Sequence, residues 1–171
     1  MAEAADQVAE ATESAAGLAA RVQAALLDRG ESLAVAESLT GGLIGATLTG
    51  VAGASATFRG GVVAYATDLK AGLLGVDPDL LARVGAVHPD VAAQMAAGVR
   101  DRLQASYGLA ATGVAGPDPQ DGRAPGEVHL AAVGPAGVLP LTLQLTGDRA
   151  AIRTATVPAA LTLLLEMITR A

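Results

Sequence analysis

The sequence predicts a single α/β domain of three layers (α/β/α) built on a mixed, mostly parallel sheet. Three observations lead there. Segments of helical and strand-like hydrophobic period alternate along most of the 171 residues, and two consecutive strands follow near the end. Hydrophobic residues make up 51% of the chain but aromatics only 2%, so the core must be assembled from Ala, Val and Leu, which suits helices lying close against a sheet. The length fits one self-sufficient core, and neither a linker nor an internal repeat divides it.

The elements follow in order. A first helix is expected over residues 3–30, with Leu18, Val22, Ala25 and Leu26 at helical spacing and Gly30 as its stop. Its beginning is weakly apolar, so residues 1–16 read as an N-terminal helical extension and 17–171 as the domain proper. Residues 32–36 form a short buried strand that runs into Glu37-Ser-Leu-Thr-Gly-Gly42, a polar turn opening a helix from about Thr40 to Leu48. A Gly/Ala/Ser loop at 50–55 precedes a strand at 61–65 and short helices at 68–74 and 78–84. His88-Pro-Asp90 starts a longer helix to about Ser106, with Val91, Met95, Val99 and Leu103 on one face. A strand at 107–112 ends in Gly113-Val-Ala-Gly-Pro117, and a loop rich in Pro, Asp and Gly covers 118–126. Strands at 127–133 and 138–145 make a hairpin, and Gly147-Asp-Arg149 opens a last helix to about Arg170, which Pro158 should kink.

Composition narrows the function. A formal charge of -6 argues against a nucleic-acid binder, which would present a basic face. Without cysteine there is no disulfide, thiolate nucleophile or Cys-ligated zinc. His88 and His129 are far apart and lack HExxH or clustered carboxylates, so no metal is expected; P-loop and GxGxxG patterns are missing. No uninterrupted apolar run approaches ~18 residues, so no membrane span is expected. The acidic amino terminus lacks the order of a signal peptide, and a cytoplasmic location is expected.

One residue stands out. Lys70 is the single lysine beside ten arginines. Guanidinium cannot be deprotonated in a protein, whereas a buried lysine amine can serve as a base. Ser55 and Tyr65 lie upstream, and a Ser–Lys pair is a known nucleophilic arrangement. The plainer alternative is an exposed helix lysine. Three polar segments follow strands, at 37–42, 67–70 and 112–117, and can converge on the carboxyl rim of the sheet where ligands of α/β proteins bind. In the first, Thr40, Gly41 and Gly42 could cradle an anion at a helix start, or Ser38 or Thr40 could simply cap that helix. In the third, Thr112 and Gly113 suit close backbone contact with a planar ligand, or a turn. Arg149 and Arg153 share a helix face that could hold a phosphate, or face solvent.

Six pieces taken in order resemble the CinA C-terminal domain family (competence/damage-inducible protein A), in its stand-alone nicotinamide mononucleotide (NMN) deamidase form. They are Ala36-Glu-Ser-Leu-Thr-Gly-Gly42, Val51-Ala-Gly-Ala-Ser55, the stretch from Phe58 to Lys70, Gly85-Ala-Val87, Gly113-Val-Ala-Gly-Pro117 and Gly147-Asp-Arg149, spread over residues 17–169. The resemblance implies removal of the carboxamide nitrogen of NMN as ammonia, leaving nicotinate mononucleotide, with no metal or organic cofactor. It implies Ser55 as nucleophile, Lys70 as base and Tyr65 close by, with Ser38 and Thr112 in the pocket and Arg149 on the phosphate. Backbone N–H groups of a glycine turn would supply an oxyanion hole. The alternatives are a catalytically silent nucleotide-binding module of the same fold, or a deamidase for another amide. A homodimer is expected. The chain departs from the family pattern at His88, where relatives often carry Ser, and at Pro125-Gly-Glu-Val128. His88 or the variable loop at 118–124 could alter substrate preference.

Overall fold

The computed structural model describes residues 13–170. Helix α1 (Ala15–Arg29) starts where the Ser14 hydroxyl accepts the Gly17 N–H, and stops at Gly30, whose φ of 64° is the left-handed cap that glycine adopts without strain. Residues 3–12 of the expected first helix, and most of the expected extension at 1–16, lie outside the described residues. There follow β1 (Leu33–Glu37), α2 (Leu43–Thr49), a 3-10 turn (Ala54–Ala56), β2 (Phe58–Val63), α3 (Thr67–Leu74), α4 (Pro78–Val84) and α5 (Pro89–Arg102). The chain then forms β3 (Tyr107–Gly113), β4 (Glu127–Gly134), β5 (Gly137–Gln144) and α6 (Arg149–Arg170).

The alternation read from the sequence is therefore present, with shifted boundaries; α2 starts at Leu43 rather than about Thr40. Strand β2 begins at Phe58, because the Gly60-Gly61 pair that looks like a strand start lies inside it. A Cβ at Gly61 would come within 2.8 Å of Val35, so close strand packing calls for glycine there. Tyr65 consequently falls beyond the strand. Helix α5 ends at Arg102 because Gln104 takes a left-handed φ of 52°.

The five strands form one mixed sheet in the order β2-β1-β3-β4-β5. Strand β1 runs parallel to both β2 and β3, while β4 is antiparallel to β3 and β5. Every residue of β1 and β3 is buried, as expected for central strands covered on both faces. On one face α1, α2 and α6 pack Leu26, Ile44, Leu161 and Leu164 against Val35, Leu109 and Leu130. On the other, α3, α4 and α5 pack Leu74, Leu80, Met95 and Val99 against Ala34, Ala36 and Ala110. The second face is very tight. A Cβ at Gly108 would sit 2.0 Å from the Ala96 carbonyl oxygen, and one at Gly98 only 1.8 Å from that of Leu74. Close approach of backbones thus replaces aromatic bulk.

Helix α6 runs through Pro158 without a break. By length and composition it is apolar enough to cross a membrane, against the expectation that no segment would be. Here Ile152, Val157, Leu161 and Ile168 are buried in the core of the domain. Strands β1 and β3 deliver Glu37 and Gly113 to the same edge of the sheet, and β2 leads into Lys70 there.

Candidate active site

At the end of β1, Glu37 turns toward α2 and Ser38 toward α3, as successive strand residues must. The Glu37 carboxylate is 2% exposed and accepts the N–H groups of Gly42 (3.0 Å), Ile44 (3.1 Å) and Gly45 (2.8 Å). Those are the donors that a helix leaves unpaired at its start. The expected anion cradle is thereby filled by the chain's own carboxylate. Gly41 and Gly42, at φ 59° and 103°, serve the tight turn, and Thr40 is fully buried. None of the three lines the cavity described below.

On the opposite side of β1, Lys70 is 1% exposed, which excludes the exposed-helix alternative. Its Nζ donates to Ser38 Oγ (3.1 Å), the Ala64 carbonyl (2.8 Å) and the Tyr65 carbonyl (3.4 Å). Burial pushes the amine down from 10.5 to about 8, and the Asp121 carboxylate nearby opposes that shift. Three acceptors match the three hydrogens of the protonated amine. Once one proton is lost, the two carbonyls can keep the two hydrogens that remain and the lone pair can face the Ser38 hydroxyl.

Ser55 is not part of this group. It is exposed in the 3-10 turn before β2, beside the amino ends where Leu33 pairs with Phe58. Lys70 follows the carboxyl end, where Glu37 pairs with Val63. Six strand residues separate the two levels, roughly 20 Å at strand rise. The expected Ser55–Lys70 pair is corrected to Ser38–Lys70. Sequence proximity favoured Ser55, but an extended strand carries its two ends apart, while a parallel neighbour brings the distant Ser38 alongside.

Tyr65 meets Lys70 through its carbonyl, so its ring neither orients nor relays for the amine. The phenol oxygen instead accepts from Arg149 Nη2 (2.7 Å), while Arg149 Nη1 donates to the Gly116 carbonyl (2.8 Å). Arg153 does not join Arg149. It donates to the Leu39 and Thr40 carbonyls at 2.9 and 3.0 Å, clamping the turn that bears Ser38. Thr112 is buried and donates to the Ala86 carbonyl (2.7 Å), and the Ala86 N–H donates to Asp121 (2.8 Å). Thr112 therefore supports the wall rather than facing a ligand.

Ser38, Leu39, Tyr65, Asp118, Gln120, Arg149 and the backbone of 113–116 enclose a cavity of about 80 Å³. Of the expected residues, the structure brings together Ser38, Tyr65, Gly113 and Arg149 around this space, with Lys70 bonded to Ser38 behind it. Asp118 and Gln120 come from the variable loop, where no local pattern in the sequence singles them out as site residues. A larger groove of about 1010 Å³ runs between α1, α6 and β5. Its lining of Leu18, Pro140, Pro158 and Leu163 is mainly apolar and includes neither Ser38 nor Lys70.

Fold and site define a single-domain α/β protein with a buried lysine held against a serine at the carboxyl edge of its sheet. The family model for the CinA C-terminal domain matches residues 15–168, and the chain belongs to that family. A CinA-like protein of Frankia casuarinae is 54% identical over 143 residues, covering 84% of this chain and 33% of its own length. One of Gloeobacter violaceus is 46% identical over 132 residues, covering 76% and 31%. The chain thus spans about a third of the length of these curated relatives. Among solved structures, the competence/damage inducible protein CihA from Agrobacterium tumefaciens is 38% identical with a TM-score of 0.86, covering 90% of this chain and 94% of that one. A CinA superfamily protein from Klebsiella pneumoniae is 31% identical with a TM-score of 0.89, covering 93% and 100%.

Proposed function

We propose that the protein is an amidohydrolase that releases ammonia from the carboxamide of NMN, with Ser38 as nucleophile and Lys70 as general base. One observation carries the reading: a fully buried amine, lowered to about 8, stands 3.1 Å from a serine hydroxyl at the wall of a cavity.

The steps follow from that pair. Neutral Lys70 takes the Ser38 proton as the oxygen attacks the carboxamide carbon. The resulting ammonium returns the proton to the nitrogen, the C–N bond breaks, and ammonia leaves an ester on Ser38. Lys70, neutral again, takes a proton from water; the hydroxide attacks the ester, Ser38 regains its proton and the carboxylate is released. Leu39 lines the cavity, and its N–H has no backbone or side-chain acceptor among the described residues. As the donor next to the nucleophile it suits the oxyanion, a contribution of about 3 kcal/mol.

The substrate assignment rests on the motifs shared with NMN deamidases. The cavity supports it in size and charge. At about 80 Å³ it is far below the ~300 Å³ of ordinary small-molecule sites, so it takes the amide end alone. The rest of the nucleotide would lie across the mouth, where exposed Arg149 can exchange Tyr65 and Gly116 for a phosphate.

The test is to incubate the purified protein with NMN and with other amides and to measure ammonia. Ammonia and nicotinate mononucleotide should appear in equal amounts from NMN. Binding of NMN without ammonia would leave a silent nucleotide-binding module in place of the enzyme.

A further inference from the structure

We propose that the loop joining β3 to β4 makes this pocket selective for a positively charged ring, with the Asp118 carboxylate as counter-ion to the pyridinium of NMN. The proposal rests on the NMN amidohydrolase reading and adds what would reject uncharged analogues.

The cavity wall contains one carboxylate, Asp118, and one guanidinium, Arg149. Arg149 is held on the α6 side by Tyr65 and Gly116. Asp118 is exposed and has no ion pair or side-chain hydrogen bond among the described residues, so its carboxylate faces solvent at the cavity mouth and is free to meet a ligand there. The loop that bears it is fastened in place. Asp121 Oδ2 accepts the Ala86 N–H at 2.8 Å, Gln120 and Arg123 pair their backbones at 3.1 and 2.8 Å, and the Gly126 N–H reaches the Val114 carbonyl at 2.8 Å. Asp121 also lies near enough to act electrostatically on Lys70. Among the described residues, Asp118 and Arg149 are the charged side chains of the lining itself, with Asp121 and Lys70 behind it.

NMN carries the matching charges: a quaternary ring nitrogen next to the ribose, and a phosphate at the other end. Ring toward the loop and phosphate toward Arg149 pairs both. Reduced NMN keeps the carboxamide, ribose and phosphate, but its dihydropyridine ring is uncharged. The two ligands therefore separate charge from shape.

The experiment is calorimetric titration of the Ser38→Ala chain, which should bind without turnover, with NMN and with reduced NMN. NMN should bind about threefold to fivefold more tightly, the upper scale of one exposed charge pair. Asp118→Asn on the same background should close most of that gap, and Asp118→Glu should keep it. Added salt should narrow it. Melting curves check that each variant is folded, and the Glu variant keeps the test informative if the Asn variant is not. Equal affinities, or a gap that survives Asp118→Asn, overturn the proposal while ammonia release by the unsubstituted protein still supports the enzyme. Failure of both ligands to bind, with no ammonia from NMN, overturns the substrate reading and this proposal with it.

Discussion

Lys70 Nζ lies 3.1 Å from Ser38 Oγ across a separation of 32 residues, and among the described residues Ser38 is the one side chain to which that amine is bonded. The pairing follows from topology. Strands β1 and β2 are parallel neighbours, so the residue after the first and the helix after the second arrive at the same edge.

The first prediction separates the two serines. Ser38→Ala should lower kcat for ammonia release by at least about a thousandfold, the usual scale for a lost nucleophile. Ser55→Ala should stay within about twofold, as a surface change distant from the site. Steady-state kinetics on both variants decides, and the reverse result would mean that the wrong hydroxyl has been assigned.

The second concerns pH. A base held at about 8 must lose its proton to work, so kcat/KM should climb as pH rises toward 8 and then level off. The Asp121 carboxylate raises the amine, so Asp121→Asn should move that limb to lower pH, while the Asn oxygen can still accept the Ala86 N–H. Lys70→Arg should be inactive but folded, because guanidinium keeps the charge and cannot give up its proton. A limb unmoved by Asp121→Asn would detach it from Lys70.

Stability offers a third check. The amine sits at about 8 in the fold and 10.5 in the unfolded chain, so between those values the unfolded state holds more protons. Stability should therefore rise with pH across that window, and below it the buried charge is a penalty of roughly 3 kcal/mol. Lys70→Met should remove that pH slope. At pH 7 the gain is offset in part by an unpaired Ala64 carbonyl, a loss of about 1–3 kcal/mol. Urea unfolding of parent and variant at pH 7 and pH 10 measures the difference.

The fourth prediction is for Arg149. Arg149→Ala should raise KM for NMN about tenfold with little change in kcat, since a phosphate contact acts on ground and transition states alike. An unchanged KM would remove Arg149 from the phosphate.

Much of this was legible in the residues alone. The order of helices and strands showed in the hydrophobic period, and Lys70 was visible because it is the single lysine in the chain. The convergence of 38, 70 and 113 on one rim followed from strand ends. What the sequence does not display is direction across a strand. Nothing in Glu37-Ser38 says that the first side chain bends back to cap α2 while the second meets the amine. Tyr65 likewise reads as a ring near a lysine, whereas its carbonyl makes the contact. The contacts of Thr112 and Arg153 are with backbone carbonyls of other segments, which no local pattern encodes.

The absence of a side chain at Gly98 has one more effect. Helix α5 presses there on the backbone of Leu74, the last residue of the helix that carries Lys70, with no space for even a methyl group between them. That helix is wedged at its tail, and so resists sliding along its own axis. An amine that gained and lost charge in the proposed cycle would otherwise tend to drift toward water when protonated. Packing this close would let a proton move without carrying the amine with it.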